Sequence, residues 1–234
     1  MTVRNTPETQ AVASADNLLK EESARYALLR RIAPTLRHHL AGTMQPIGMV
    51  SAIMERRLQA AQPDLAVLRD NSKSISTLSR SAASASMNLL TWVAPKETGA
   101  VALHAGIEEC VGMLSTDLAF RGFTVANQIV PADMATSVVG LRSVFTAALI
   151  ALTDTALTPA SIVISSEAAQ GQTRVVISVS SQPDAIAAED PRAYRKLGWH
   201  DVEALASAEQ VGLSHGADHA ELHFTAAENA DVTV

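Results

Sequence analysis

Two adjacent histidines, His38 and His39, stand within Leu36–Met49, which reads LRHHLAGTMQPIGM. An imidazole with an unperturbed pKa of roughly 6.5 is mostly neutral at pH 7, and in that form it is both a nucleophile and a proton acceptor. If the segment is helical from about Leu29 to Leu58, then Leu29, Ala33, Leu36, Leu40, Met44, Ile47, Met54 and Leu58 recur at steps of three, four or seven and form one buried stripe. At roughly 100° per residue, His38 lies about 170° from the centre of that stripe and His39 about 90° from it. The spacing predicts one ring facing water and the other bordering the core. Arg30, Arg31, Arg37, Arg56 and Arg57 lie on the same helix.

Other constellations carry less. His215, His219 and His223 recur every four residues with Asp218 and Glu221 among them, which on a helix would stack three imidazoles as a zinc site. Gly216 and the alternation Glu221, Leu222, His223, Phe224 favour a turn and a strand, which would send the rings apart, so no metal site is expected. No Gly-x-Ser-x-Gly occurs. Cys110 is the one cysteine and reads as a small buried hydrophobe in a reducing compartment. Trp92 and Trp199 read as packing anchors, since no basic, aromatic-interleaved surface surrounds either.

The elements that position these residues must come from 234 residues, 47% of them hydrophobic, enough for one large domain or two small ones. A net charge of −6 disfavours nucleic acid as a partner. The sequence has neither an apolar core after the first basic residue nor about 18 consecutive apolar residues, so neither a secretory signal nor a membrane span is expected, and the chain reads as cytoplasmic.

Residues 1–15 are polar and without period, and read as a flexible tail. Residues 16–96 read as a helical hairpin. Asp16 is a plausible N-cap, Pro34 and Pro46 are expected to kink or restart the first helix, and Gln62-Pro63-Asp64 supplies the turn. The second helix, about Asp64 to Val93, has Leu65, Leu68, Ile75, Leu78, Ala82, Ala85, Leu89 and Trp92 on one face. Each helix carries more apolar stripe than one hairpin can cover, which predicts a four-helix bundle formed with a second copy. Pro95-Lys96-Glu97-Thr98-Gly99 reads as a linker.

Residues 97–234 mix two periodicities. Leu103–Ala119 reads as a helix, Phe123–Ile129 as a strand after Gly122, and Leu141–Ala156 as a buried helix. Ser161–Ser166 and Thr173–Ser180 read as strands joined by Gln170-Gly171-Gln172, Asp201–Gln210 as a helix and Ala220–Thr225 as a closing strand. The class is α+β, a sheet with helices on one face.

LRHHLAGTMQPI resembles the phosphoacceptor box of dimeric sensor histidine kinases, in which a histidine is followed by an apolar residue two on, small or polar residues, and an apolar residue nine on. Here these are His38, Leu40, Ala41-Gly42 and Ile47. The order of elements after it, a helical hairpin, a linker, a helix, a strand after Arg121-Gly122, the helix LRSVFTAALIALTD and two strands, is similar to the rest of that architecture. The resemblance implies that residues 97–234 form an α/β sandwich like the kinase ATP-binding domain. The departures are as informative. The family's magnesium-holding asparagine belongs on Leu141–Ala156, and no asparagine occurs from Gln128 to Glu228. An Asp-x-Gly-x-Gly should follow Thr173–Ser180; the chain reads SSQPDAIAAEDP, with Asp184 but without the glycines that let backbone approach a purine. The phosphate lid before Asp201 keeps one glycine, Gly198.

A phosphoacceptor hairpin joined to a degenerate ATP domain resembles the dimeric histidine phosphotransferases of phosphorelays, which pass a phosphoryl group between receiver-domain aspartates. The resemblance implies His38 as phosphoacceptor, no cofactor of the chain's own, and magnesium supplied only by the partner receiver. His39 stands where the family usually has a carboxylate, and is a candidate orienting group or alternative site. The arginines are either a basic collar for a receiver's acidic pocket or a solvated face, with Arg37 the candidate contact to phosphoryl or receiver. Two other readings stay open: a non-catalytic dimeric protein that binds or blocks a response regulator or kinase, and an active kinase with an atypical nucleotide site.

Overall fold

A computed structural model describes residues 7–94, 99–130, 134–169, 172–187 and 194–227, with side chains from Ser14 onward. Residues 95–98 of the expected linker, the Gln170-Gly171 turn, and 188–193 after Asp184 lie outside the described residues. The chain divides into two compact units, Ala33–Pro95 and, together, Met1–Ile32 with Lys96–Val234.

The first helix, α1 (Pro7–Leu58), runs through both Pro34 and Pro46 as one helix of 52 residues. Two expectations are corrected here. Residues 7–15, read as tail, are helical, and neither proline ends the helix. Each proline removes only its own N–H, and the rest of the turn bridges the gap. In the single chain the expected stripe is only partly covered. On α1 the buried residues are Ala24, Ala27, Leu28 and Ile32, whereas Leu36, Leu40, Ile47 and Met54 are half-buried and Ala33, Met44 and Leu58 are exposed. By contacts, the segment before Ala33 belongs with the C-terminal residues rather than with the hairpin.

In the hairpin unit, α2 (Leu65–Val93) starts where the sequence places it. Asp64 is the N-cap, its Oδ1 accepting from Ala66 N at 2.9 Å and Val67 N at 3.2 Å. Its apolar face buries Leu68, Ala82 and Trp92. Asp64→Ala is expected to cost about 1 kcal/mol, seen as earlier amide exchange in the first turn of α2; unchanged exchange there would contradict the cap.

In the other unit, β1 (Ala100–Ala102) pairs antiparallel with β3 (Ala135–Ser137), and α3 (Leu103–Phe120) lies between them in sequence. Five more strands form a mixed sheet: β2 (Phe123–Asn127), β4 (Leu157–Ala169), β5 (Gln172–Ala187), β6 (Gly212–His215) and β7 (His219–Thr225), in the order β2-β4-β5-β7-β6. Only β2 and β4 run parallel. Gly122, at φ +88°, makes the turn from α3 into β2, a conformation that costs a glycine nothing.

The inward positions of the sheet alternate as period two requires. Ile162 and Ile164 of β4, Val175 and Ile177 of β5, and Leu222 and Phe224 of β7 are all buried. Helices cover that face. The segment Val138–Thr155 comprises α4 (Val138–Gly140), a π-helical stretch (Leu141–Phe145) and α5 (Thr146–Thr155), and α6 (Trp199–Ala208) follows later. Val138–Thr155 is long and apolar enough to cross a membrane by length and composition, but 78% of it is buried inside this unit, where it is the core helix. The α+β class with an N-terminal helical hairpin is as expected. The short strands β1, β3 and β6 were not, because three or four residues give no readable period.

Candidate functional site

His38 and His39 both lie on α1 in the hairpin unit, and both are exposed. The exposure expected of His38 is found; His39 does not border a core in the single chain, so exposure alone does not rank the two rings. Arg37 is exposed beside them. Leu40 and Ile47, the apolar members of the box, are half-buried, and Thr43 turns its hydroxyl back to the Leu40 carbonyl at 2.9 Å. The result is a pair of imidazoles on regular helix with nothing drawn over them from their own unit. That geometry suits in-line attack by a ring nitrogen on an incoming electrophile.

In the other unit, the neighbourhood of α5 is tied shut by charges that the sequence reading missed. Asp154, in the last turn of α5, is the one carboxylate in an otherwise apolar helix, and its side chain is 2% exposed. A negative charge at a helix C-terminus is unfavourable with the helix dipole, so it requires compensation. Arg31 Nη2 donates to its Oδ1 at 2.6 Å, Arg121 Nη2 donates to the same oxygen at 3.2 Å, and the Leu197 N–H donates to Oδ2 at 3.1 Å. Burial pushes the Asp154 carboxyl up, against the pull of these three donors. As the one carboxylate in LRSVFTAALIALTD, Asp154 was the signal that could have revealed the cluster.

The segment Tyr194–Gly198, where the resemblance implies a phosphate lid, is a strap fastened at several points. Arg195 makes a two-pronged pair with Asp201 of α6, Nη1 to Oδ2 at 2.7 Å and Nη2 to Oδ1 at 2.8 Å. The Gly198 N–H donates to Asp201 Oδ2 at 3.0 Å, and Arg31 Nη1 donates to the Arg195 carbonyl at 3.3 Å. Arg30 lies over the Tyr194 ring, 4.7 Å from its centroid. Burial pushes the Asp201 carboxyl up, but the bonds from Arg195 and the Gly198 N–H, with the charges of Arg195 and His200, outweigh it and hold the group below its ordinary value.

A carboxyl held low in the folded state contributes stability that is complete above its unfolded value of roughly 3.9 and lost as pH falls through the lower folded value. The strap and the start of α6 are therefore expected to lose amide protection below about pH 4. Asp201→Asn should lack that acid limb and be less stable by about 2 kcal/mol at pH 7, measured by urea denaturation. Full stability of the variant at pH 7 would contradict the role given to this pair.

Every residue from Thr146 to Asp154 is buried, Ile150 included, as is Phe145 before them, so the flank of α5 is packed with side chains. Asp184 lies within β5, in the stretch 182–185 between the paired residues Ser181 and Ile186, rather than in a glycine-bearing turn.

The remaining candidates sit apart. His215 of β6 stacks on Trp199 of α6, ring centroids 4.0 Å apart and 6° from parallel, and its Nε2 lies 3.4 Å from Glu203. His219 pairs with its neighbour Asp218 at 2.9 Å. His215 lies on β6 and His219 and His223 on β7, and among the described residues no three His, Cys, Asp or Glu side chains group as metal ligands. Cys110 is fully buried in α3, and burial pushes its thiol up to about 12.

No protein-family model matches the sequence, and no curated protein matches it either. Among solved structures, the chain is similar to the Acinetobacter baumannii histidine kinase AdeS at 16% identity, with 77% of this chain and 96% of that chain covered and a TM-score of 0.42. It is similar to a histidine kinase from Burkholderia phymatum at 15% identity, with 84% and 97% covered and a TM-score of 0.42. It is also similar to the histidine kinase ThkA, solved in complex with the response regulator protein TrrA, at 13% identity, with 91% and 66% covered and a TM-score of 0.41.

Proposed function

We propose that this protein is a histidine phosphotransfer protein of a two-component phosphorelay, accepting a phosphoryl group at His38 from one receiver-domain aspartate and donating it to another without binding ATP. The observation that carries the reading is an exposed His38 at the head of the box LRHHLAGTMQPI on a regular helix. A ring nitrogen of neutral His38 attacks the phosphorus of the receiver's acyl phosphate. The P–N bond forms as the bond to the aspartyl oxygen breaks, and the carboxylate leaves with its electron pair. The receiver brings the magnesium and the groups that neutralise phosphoryl charge. This chain has only to orient the ring.

The state of the other unit supports the ATP-free part of the reading. The helix expected to hold magnesium has no asparagine; its one carboxylate is engaged by two guanidiniums and an N–H, and its flank is filled. In this reading exposed Arg37 meets phosphoryl oxygens or the receiver's acidic pocket, and His39 orients its neighbour or serves as a second acceptor. The hairpin also supports a homodimer: Leu65 is 78% exposed, Met87 65% and Met49 61%, apolar surface that a second hairpin would cover in a four-helix bundle.

The test is incubation with a phosphorylated receiver domain, followed by chemical typing of the label. The reading predicts phosphate on this protein that survives alkali and is lost in acid, and no change in melting temperature with Mg-ATP. No labelling by any receiver, or a clear upward thermal shift with Mg-ATP, would overturn it.

A further inference from the structure

The four buried residues of α1 before Ala33, together with Arg31, occupy one face at positions 24, 27, 28, 31 and 32. Two alanines on that face let the helix approach closely. At one end Arg25 pairs with Glu209, and at the other Arg31 pairs with Asp154. Ala24, Arg31 and His38 are spaced by seven, so they follow one face of α1 with a drift of about 20° per step.

The Asp154 cluster is asymmetric. Arg121 belongs to the sheet-bearing part: it pairs with Asp117 and donates to the Thr153 carbonyl at 2.7 Å as well as meeting Asp154. If α1 lifts away, Asp154 keeps Arg121 and the Leu197 N–H, and Arg31 passes into water. The undocked state leaves no charge buried alone, so undocking avoids the penalty that usually locks such clusters. The docked face is also small, two of its four apolar residues being alanine, which places this segment among the less strongly held parts of a fold.

We propose that Ala24–Ile32 is a releasable latch, held by Asp154, which competes with an acidic partner for Arg31. The competing partner rests on the phosphotransfer reading, in which a receiver's acidic pocket seats on the His38 face of α1; the latch itself does not. Closed, the latch holds Arg31 against Asp154, out of reach of that acidic pocket. Open, it releases that arginine.

The full chain and two variants test this by hydrogen–deuterium exchange and by the rate of labelling from a phosphorylated receiver. Asp154→Asn frees Arg31 with its charge intact; Arg31→Gln frees the segment but removes the charge. Both should speed exchange within residues 22–33 by about tenfold, with 103–118 and 146–153 unchanged. Only Asp154→Asn should accelerate labelling. Unchanged exchange in 22–33, or exchange rising equally throughout the unit, would overturn the latch. Local opening with unaltered labelling in Asp154→Asn would overturn the competition. If the wild type takes no label, the phosphotransfer reading fails while exchange still decides the latch.

Discussion

His38→Ala is expected to abolish labelling by a phosphorylated receiver, a loss of at least about a thousandfold, because it removes the attacking nitrogen. His39→Ala should retain labelling at a rate reduced by about tenfold or less, the scale of an orienting rather than a bonding role. The pair of variants matters because both rings are exposed. Labelling that persists in His38→Ala and disappears in His39→Ala would move the phosphoacceptor one residue along. Folding is not the issue at either position, since neither side chain is buried.

The second large effect concerns stability. Asp154→Ala should lower the unfolding free energy by about 1–3 kcal/mol, because Arg31 and Arg121, 6% and 8% exposed, lose the carboxylate they share, Arg121 keeping Asp117 and Arg31 turning to water. Within a total of about 5–15 kcal/mol for a domain, that is a sizeable fraction. Urea denaturation of wild type and variant measures it. A loss under about 1 kcal/mol would show that water or a relaxed arginine replaces the carboxylate freely, and would remove Asp154 from the centre of this unit.

Much of the fold was legible because its long elements have clean periods. Asp64 before a run of period 3.6, Gly122 before Phe123, and the alternation of Thr173–Ser180 each put a physical constraint into one or two residue types. The first helix shows where legibility ends. Its buried residues Ala24, Ala27, Leu28 and Ile32 lie on a face roughly 120° from that of Leu36, Leu40, Ile47 and Met54 at 100° per residue, so a stripe drawn from Leu29 to Leu58 missed the pattern that serves the other unit. The prolines misled for the opposite reason, since one missing N–H is a local defect that a 52-residue helix absorbs.

Of the candidate site, exposure of His38 followed from phase alone. Exposure of His39 did not, because a residue on the flank of a stripe is buried only if something is packed there. The Asp154 cluster was hidden because its members, Arg31, Arg121, Asp154 and Leu197, come from four separate stretches of chain. Charge types were visible in the sequence, but their meeting was not.

Relay rather than mere acceptance is the heart of the proposed function, and discharge tests it most directly. Protein labelled by one receiver is freed of that donor and mixed with a second, unphosphorylated receiver and magnesium, with no nucleotide present. The account predicts that label leaves His38 and appears on the second receiver as an alkali-labile acyl phosphate. Label that stays on the protein, or that moves only when ATP is added, would contradict it.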